Sequence, residues 1–178
     1  IVGQLQDRGA VETIQKYLEL LSGAFLVTAL QKYTGESLRS RASSPKLIVH
    51  DNALLRALER PPQADLPHDR WGRYVENAVG ARLIESGAEV YYWNDRDKEV
   101  DFVCLSPAGE HLALEVKWGA PSNKDLAGLN AFVQKWPKFK SAVVCPKRPE
   151  NLPPHVEWIP LEQILQVERL KPGTLLPR

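Results

Sequence analysis

The stretch from Glu99 to Lys117 constrains this chain more than any other. It reads Glu-Val-Asp-Phe-Val-Cys-Leu, then Ser106-Pro107-Ala108-Gly109, then a second apolar run that closes on Ala113-Leu114-Glu115-Val116-Lys117. Two runs rich in Val, Leu and Phe around a short Pro- and Gly-containing turn predict adjacent antiparallel strands joined as a hairpin. Side chains alternate across a strand, so Glu99, Asp101 and Val103 are expected on one side and Val100, Phe102 and Cys104 on the other. Glu115 and Lys117 emerge together, with Leu114, Val116 and Trp118 behind them. Pairing through the turn then brings Asp101, Glu115 and Lys117 into one group. Such a group has two readings: a salt bridge on a solvated sheet face, or a carboxylate pair with an ammonium beside it, set among apolar strands for chemistry.

The 178 residues and 43% hydrophobic content suffice for one sizeable domain with a small appendage. No apolar run approaches the roughly 20 residues of a membrane span, and no basic-then-apolar signal segment opens the chain, so a cytoplasmic soluble protein is expected. Cys104 and Cys145 lie inside apolar strand-like runs without metal-type spacing and read as small buried hydrophobes. The chain starts at Ile1 and contains no methionine, which reads as a fragment of a longer protein. A net charge of +1 gives no overall pull toward nucleic acid, so the position of the charges matters more than their sum.

In chain order, Val11, Ile14, Leu18 and Leu21 mark one face of a helix that Gly23 stops. Ala24–Tyr33 reads as a strand, 34–45 as a polar loop, and Lys46–Val49 as a return strand. A helix followed by a long-looped hairpin is the pattern of a winged-helix-like unit, whose Arg39, Arg41 and Lys46 would contact a phosphate backbone; a packing unit with a solvated basic loop is the other reading. After a short helix, Ala53–Leu58, three prolines between Arg60 and Pro67 predict a stiff connector and a boundary between units spanning 1–62 and 63–178.

The second unit opens with a helix capped by Asp69 and running to about Ser86, with Trp71, Val75, Val79 and Leu83 as its apolar stripe and Glu76 beside it. A strand over Glu89–Trp93, a turn over Asn94–Lys98 and the opening hairpin follow. Next come a helix from Ser122 or Asn123 to about Trp136, a buried strand Ser141–Cys145, a strand-like Val156–Ile159 and a short helix Leu161–Val167. Lys135, Lys138, Lys140, Lys147 and Arg148 form a second basic set. Trp93, Trp118 and Trp136 read either as core or as platforms for bases of a single strand.

Helix, three strands, helix, strand, with Glu76, Asp101 and the Glu115-Val116-Lys117 triplet in that order, resembles the PD-(D/E)XK nuclease superfamily. The resemblance implies a restriction-endonuclease-like α/β core, a mixed sheet flanked by helices, and metal-dependent cleavage of phosphodiesters. The proline that commonly precedes the first Asp is here Val100. The runs Lys16–Val27, Pro45–Leu55, Gly72–Ala78 and Tyr92–Lys117 also resemble the C-terminal domain of unknown function that follows an AAA-type ATPase in many bacterial and archaeal proteins. An ATPase partner is therefore implied, although this chain has no Gly-x-x-x-x-Gly-Lys-Ser/Thr phosphate loop.

Chemistry supports the same residues independently. Phosphodiester hydrolysis needs a hard cation, and Mg²⁺ (or Mn²⁺) takes oxygen ligands while keeping several waters. Asp101, Glu115 and the Val116 carbonyl supply three oxygens, and Glu76 would hold a metal-bound water. Lys117 is expected to position or deprotonate the attacking water, or to offset charge on the phosphate. His111 and Glu99 read as peripheral. The expected function is a Mg²⁺-dependent nuclease acting on DNA; the alternative is a catalytically silent nuclease-fold module for DNA binding or docking.

Overall fold

The computed structural model of the chain describes residues 8–35, 43–58 and 67–166. Arg39, Arg41 and the proline-rich segment 59–66 lie outside the described residues. Helix α1 (Arg8–Gly23) leads into a two-stranded antiparallel hairpin, β1 (Val27–Leu30) and β2 (Lys46–Val49), followed by α2 (Asn52–Leu58). Helix α3 (His68–Glu85) then precedes strands β3 (Glu89–Asp95), β4 (Lys98–Leu105) and β5 (His111–Val116). Helix α4 (Ala127–Lys135), strands β6 (Lys140–Cys145) and β7 (Val156–Pro160), and helix α5 (Leu161–Leu165) complete the order. The cap position of α3 is Pro67, so Asp69 falls inside the helix instead of opening it. Among the described residues, no helix is long and apolar enough to cross a membrane.

The main sheet has five strands in the order β3-β4-β5-β6-β7, and it is mixed. Strands β3, β4 and β5 pair antiparallel through tight turns, whereas β5-β6 and β6-β7 pair parallel. Parallel neighbours need a crossover, and the β5-β6 connection carries α4. Strand β7 extends the sheet beyond the hairpin and the Ser141–Cys145 strand. Helices cover both faces, because strands this apolar must be buried on each side. On one face α3 and α5 pack Val75, Val79, Leu83 and Ile164 onto Phe102, Leu114 and Val144. On the other, Leu129 and Phe132 of α4 join Val103, Ala113 and Val143. Trp71, the expected first member of the α3 stripe, lies outside this core and is 42% exposed.

A bulge alters the alternation on β4. Tyr91 pairs with Val103 and Trp93 with Val100, so Asp101 and Phe102 together oppose Tyr92 alone. Val100, expected beside Phe102 and Cys104, is thereby turned to the α4 side with Val103. The extra residue is spent at the aspartate, where β4 changes face.

The N-terminal hairpin shares this core. Leu30 and Ile48 are buried with Phe102 and Val79, and Tyr33 packs edge-on against Trp136 and Phe139. Lys32 bridges to Tyr92 on the outer edge of β3, with Tyr33 N–H donating to the Tyr92 carbonyl at 2.7 Å. Asn77 of α3 clasps the backbone of Val49: its Oδ1 accepts the Val49 N–H at 2.9 Å and its Nδ2 donates to the Val49 carbonyl at 2.6 Å. An amide thus substitutes for a neighbouring strand at the edge of β2.

Two glycines allow the helices to approach the sheet. A Cβ at Gly80 would meet the Phe102 ring at 2.8 Å, and one at Gly128 would collide with the backbone carbonyl of Glu99, which cannot swing aside as a side chain can. Gly72, also helical, has open space around it. Gly128→Ala is therefore expected to destabilise the fold by about 2 kcal/mol or more through overpacking. Gly72→Ala should stabilise it by about 0.5–1 kcal/mol through helix propensity. Urea midpoints of the two variants against the parent chain measure both, and equal midpoints would contradict the packing of α4 on β4.

Candidate functional site

The expected site residues meet where β4 and β5 part, at the end of their shared ladder. The last ladder pair here is Phe102 with Leu114, and beyond it the Asp101 carboxylate takes over. Its Oδ2 accepts the N–H of Val116 at 2.9 Å, so a side chain caps the strand pair and Asp101 is fixed by backbone. Glu115, on β5, places its Oε1 2.9 Å from Lys117 Nζ. Lys117 follows the strand directly; its own N–H donates to the Val144 carbonyl of β6, which anchors the base of that long side chain. Lys117 Nζ also lies 3.3 Å from Oδ1 of Asp125. Asp125 is held in turn by the N–H and hydroxyl of Ser122, at 2.8 and 2.6 Å.

Lys46 is the unexpected member. Grouped from the sequence with Arg39 and Arg41 as a phosphate contact, it instead turns inward from the first position of β2. Its Nζ lies 2.5 Å from Glu76 Oε1 and 3.2 Å from Asp101 Oδ1, and donates to the Asp101 carbonyl at 3.3 Å. The same ammonium sits 4.9 Å from the centre of the Phe102 ring. Two negative neighbours and an aromatic face outbid solvent for this charge. Glu76, expected to hold a metal-bound water, is here an ion-pair partner of Lys46.

The electrostatics follow from burial. Desolvation raises the pKa of Glu115, the charge of Asp101 adds to it, and Lys117 opposes; the result is about 8. Glu76 is likewise raised, first by burial and then by Asp101, because two carboxylates share the single ammonium of Lys46. Burial alone would lower Lys46, but Asp101 and Glu76 outweigh it and raise it. Lys117 behaves the same way, with Glu115, Asp101 and Asp125 overcoming desolvation. Lys117 is therefore a fixed ammonium that donates hydrogen bonds and offsets charge.

Glu115 Oε2 is buried and has no hydrogen-bond partner among the described residues. A bare carboxylate oxygen in that position calls for a proton or a cation. Hard oxygen donors of this kind suit a divalent ion, and Asp101 with Glu115 fit one as far as two carboxylates go. Among the described residues, no three His, Cys, Asp or Glu side chains converge as a complete metal cage. Further ligands would come from water or from a phosphate.

Around this centre, Trp118 lies one residue past Lys117 and stacks on Trp71, with ring centres 5.6 Å apart. It borders a cavity of about 700 Å³ lined also by Pro121, Lys147 and Arg148. Trp93 is core, and Trp136 belongs to the aromatic cluster around Phe132. Lys135 and Lys138 lie over the rings of Trp136 and Phe139, at the rim of that cluster. His111 packs edge-on against Phe139, and Glu99 is exposed. Sequence reasoning gave Lys46 another role, as a phosphate contact, and did not single out Asn77 or Asp125. The first two are assembled by long-range packing; Asp125, three residues after Ser122, carried a local signal in that Ser-x-x-Asp spacing.

A family model described as "Domain of unknown function (DUF4143)" matches residues 71–164, more than half of the chain. A second, "Domain of unknown function (DUF8612)", matches residues 2–65. No curated protein and no solved structure matches the chain.

The raised Glu115 has a consequence for stability. Between its ordinary value of 4.5 and about 8, the folded chain holds a proton that the unfolded chain has released. That contribution is fully present below 4.5 and is lost as pH rises through about 8, so stability should fall across this window. Glu115→Gln keeps the shape without the charge, and its melting temperature should change less than the parent's between about pH 5 and pH 9. Parallel slopes for the two proteins would mean that Glu115 is ionised in the fold throughout.

Proposed function

The chain belongs to the DUF4143 family, and we propose that its site is that of a divalent-cation-dependent phosphodiester hydrolase acting on DNA, built on a restriction-endonuclease-like sheet. One observation carries the reading: the buried, unpartnered Glu115 Oε2 beside Asp101, with the Lys117 ammonium on the other oxygen of the same carboxylate. A salt bridge on a solvated face has no need to leave a carboxylate oxygen buried and bare. Asp101, Glu115 and the carbonyl of Val116 are the atoms that would hold Mg²⁺ or Mn²⁺. When bound, such an ion polarises the phosphoryl oxygen and lowers the pKa of water.

The chain's own residues have distinct parts in this reaction. Lys117 donates to a non-bridging phosphate oxygen, where negative charge builds as water adds to phosphorus and the bond to the leaving sugar oxygen breaks. Asp101 is kept in place by the Val116 N–H, so the carboxylate needs no reorganisation before reaction. The hydrophobic faces on both sides of the sheet keep the group in a medium where these charges act strongly. Arg39 and Arg41 remain proposed phosphate contacts, and Lys147 and Arg148, which line the cavity beside Trp118, are proposed as further ones.

A second reading, a docking module for an AAA-type ATPase, is favoured by apolar surface on the N-terminal elements. Tyr17 and Leu20 of α1, Phe25 and Leu58 are each more than 60% exposed, which suits a protein partner better than solvent.

The hydrolase reading is tested by incubating the purified chain with supercoiled plasmid and with single-stranded DNA, with and without millimolar Mg²⁺ or Mn²⁺. Cleavage is expected only with metal, accompanied by a rise in melting temperature, since the ion binds the folded state alone. Asp101→Asn should abolish both effects. Lys117→Ala should keep the metal-induced shift while cutting turnover at least 100-fold, about the effect of losing one transition-state donor. An absence of both cleavage and metal-induced shift, with DNA present as well as without, would favour the docking module.

A further inference from the structure

The Lys46 ammonium is coordinated in the manner of a metal ion. Three oxygens surround it, Glu76 Oε1, Asp101 Oδ1 and the Asp101 carbonyl, matching the three donors of a lysine ammonium. Two carboxylates and a carbonyl are also the donor types that hard divalent cations take. The arrangement is not a chance approach of a surface lysine. The side chain is 17% exposed. Its strand is fixed by the β1 ladder, by Ile48 against the Gly80 and Phe102 contact, and by the Asn77 clasp.

We propose that Lys46 is a resident cation of the site: it fills the seat between Glu76 and Asp101 that would otherwise accept a second divalent ion, and it confines divalent binding to the Asp101–Glu115 side. The inference rests on the metal-binding part of the hydrolase reading. The charge inventory supports a single ion. Glu76, Asp101, Glu115 and Asp125 face two ammoniums, Lys46 and Lys117, which leaves two negative charges when all are ionised. One divalent ion neutralises that excess. The open oxygen, Glu115 Oε2, takes no hydrogen bond from Lys46.

The site is thereby completed by the N-terminal hairpin, since the cation that serves Glu76 is carried on β2. Lys46 acts as a positioning residue: it holds Asp101 from the Oδ1 side while Val116 N–H holds Oδ2.

The test counts bound Mn²⁺ per chain by electron paramagnetic resonance, without nucleic acid, in the wild type, Lys46→Met and Lys46→Met/Glu76→Gln. One ion is expected for the wild type, two for Lys46→Met, and one again for the double variant, which removes a ligand of the new seat. Without metal, Lys46→Met should melt below the wild type, and adding Glu76→Gln should recover part of the loss by removing the repulsion with Asp101. Should Lys46→Met fail to fold, Lys46→Gln, which keeps a donor toward Asp101, is expected to give the same ion counts. Two ions in the wild type, or one in both the wild type and Lys46→Met, would overturn this inference and leave the hydrolase reading standing. No ion in any variant, with DNA added as well as without, would overturn both.

Discussion

Four carboxylates cannot be drawn to one end of a sheet, with Asp101 and Glu115 buried, without cations placed between them. Lys46 between Glu76 and Asp101, and Lys117 between Glu115 and Asp125, are that placement. Each unpaired buried charge would cost several kcal/mol, and removing one partner of a buried pair typically costs about 3–5 kcal/mol. The two lysines therefore set the geometry of everything around them. Asp101 is reached from one side by an ammonium and from the other by a backbone N–H, and β4 bulges at that residue to bring it there.

Because one of the two cations comes from β2, the hairpin and the main sheet share more than a contact. Leu30 and Ile48 enter the core beneath α3, Tyr33 enters the aromatic cluster on the other face, and the Asn77 amide occupies the hydrogen-bonding edge of β2. These contacts keep a four-residue strand in register although its connecting loop is long. A shift of one residue would exchange Ile48 for Leu47 in the core and point Lys46 away from Glu76. Packing and charge pairing thus specify the same register.

The balance of protonation also narrows the chemistry. Lys117, held as an ammonium by three carboxylates, is a charge and a donor, whereas burial pushes Glu115 up to about 8. A site with one fixed ammonium and one buried carboxylate oxygen left bare is suited to an anionic substrate that brings its own ligands to a cation. That is the property of a phosphodiester, and it is why the hydrolase reading is preferred to a purely structural ion network.

Local signals in the sequence determined most of the elements. The alternation in Glu99–Leu105, the Pro-Ala-Gly turn and the run to Lys117 defined the β4-β5 hairpin, and with it the nearness of Asp101, Glu115 and Lys117. Helical spacing located α1, α3 and α4, because the 3.6-residue period is written into neighbouring residues. The tertiary structure alone decided what these elements could not encode locally. Lys46 looks in sequence like one more basic residue flanking a loop, and only the packing of β2 on α3 carries it to Glu76. Val100 follows the alternation until a bulge, set by the partner strand, reverses its face. Asn77 reads as a polar residue on an amphipathic helix until an edge strand presents two unpaired backbone groups to it. For Lys46 and Asn77 the role depends on atoms tens of positions away, and for Val100 on the register of the neighbouring strand; in all three the approach is fixed by the burial of the whole core and not by any pattern along the chain.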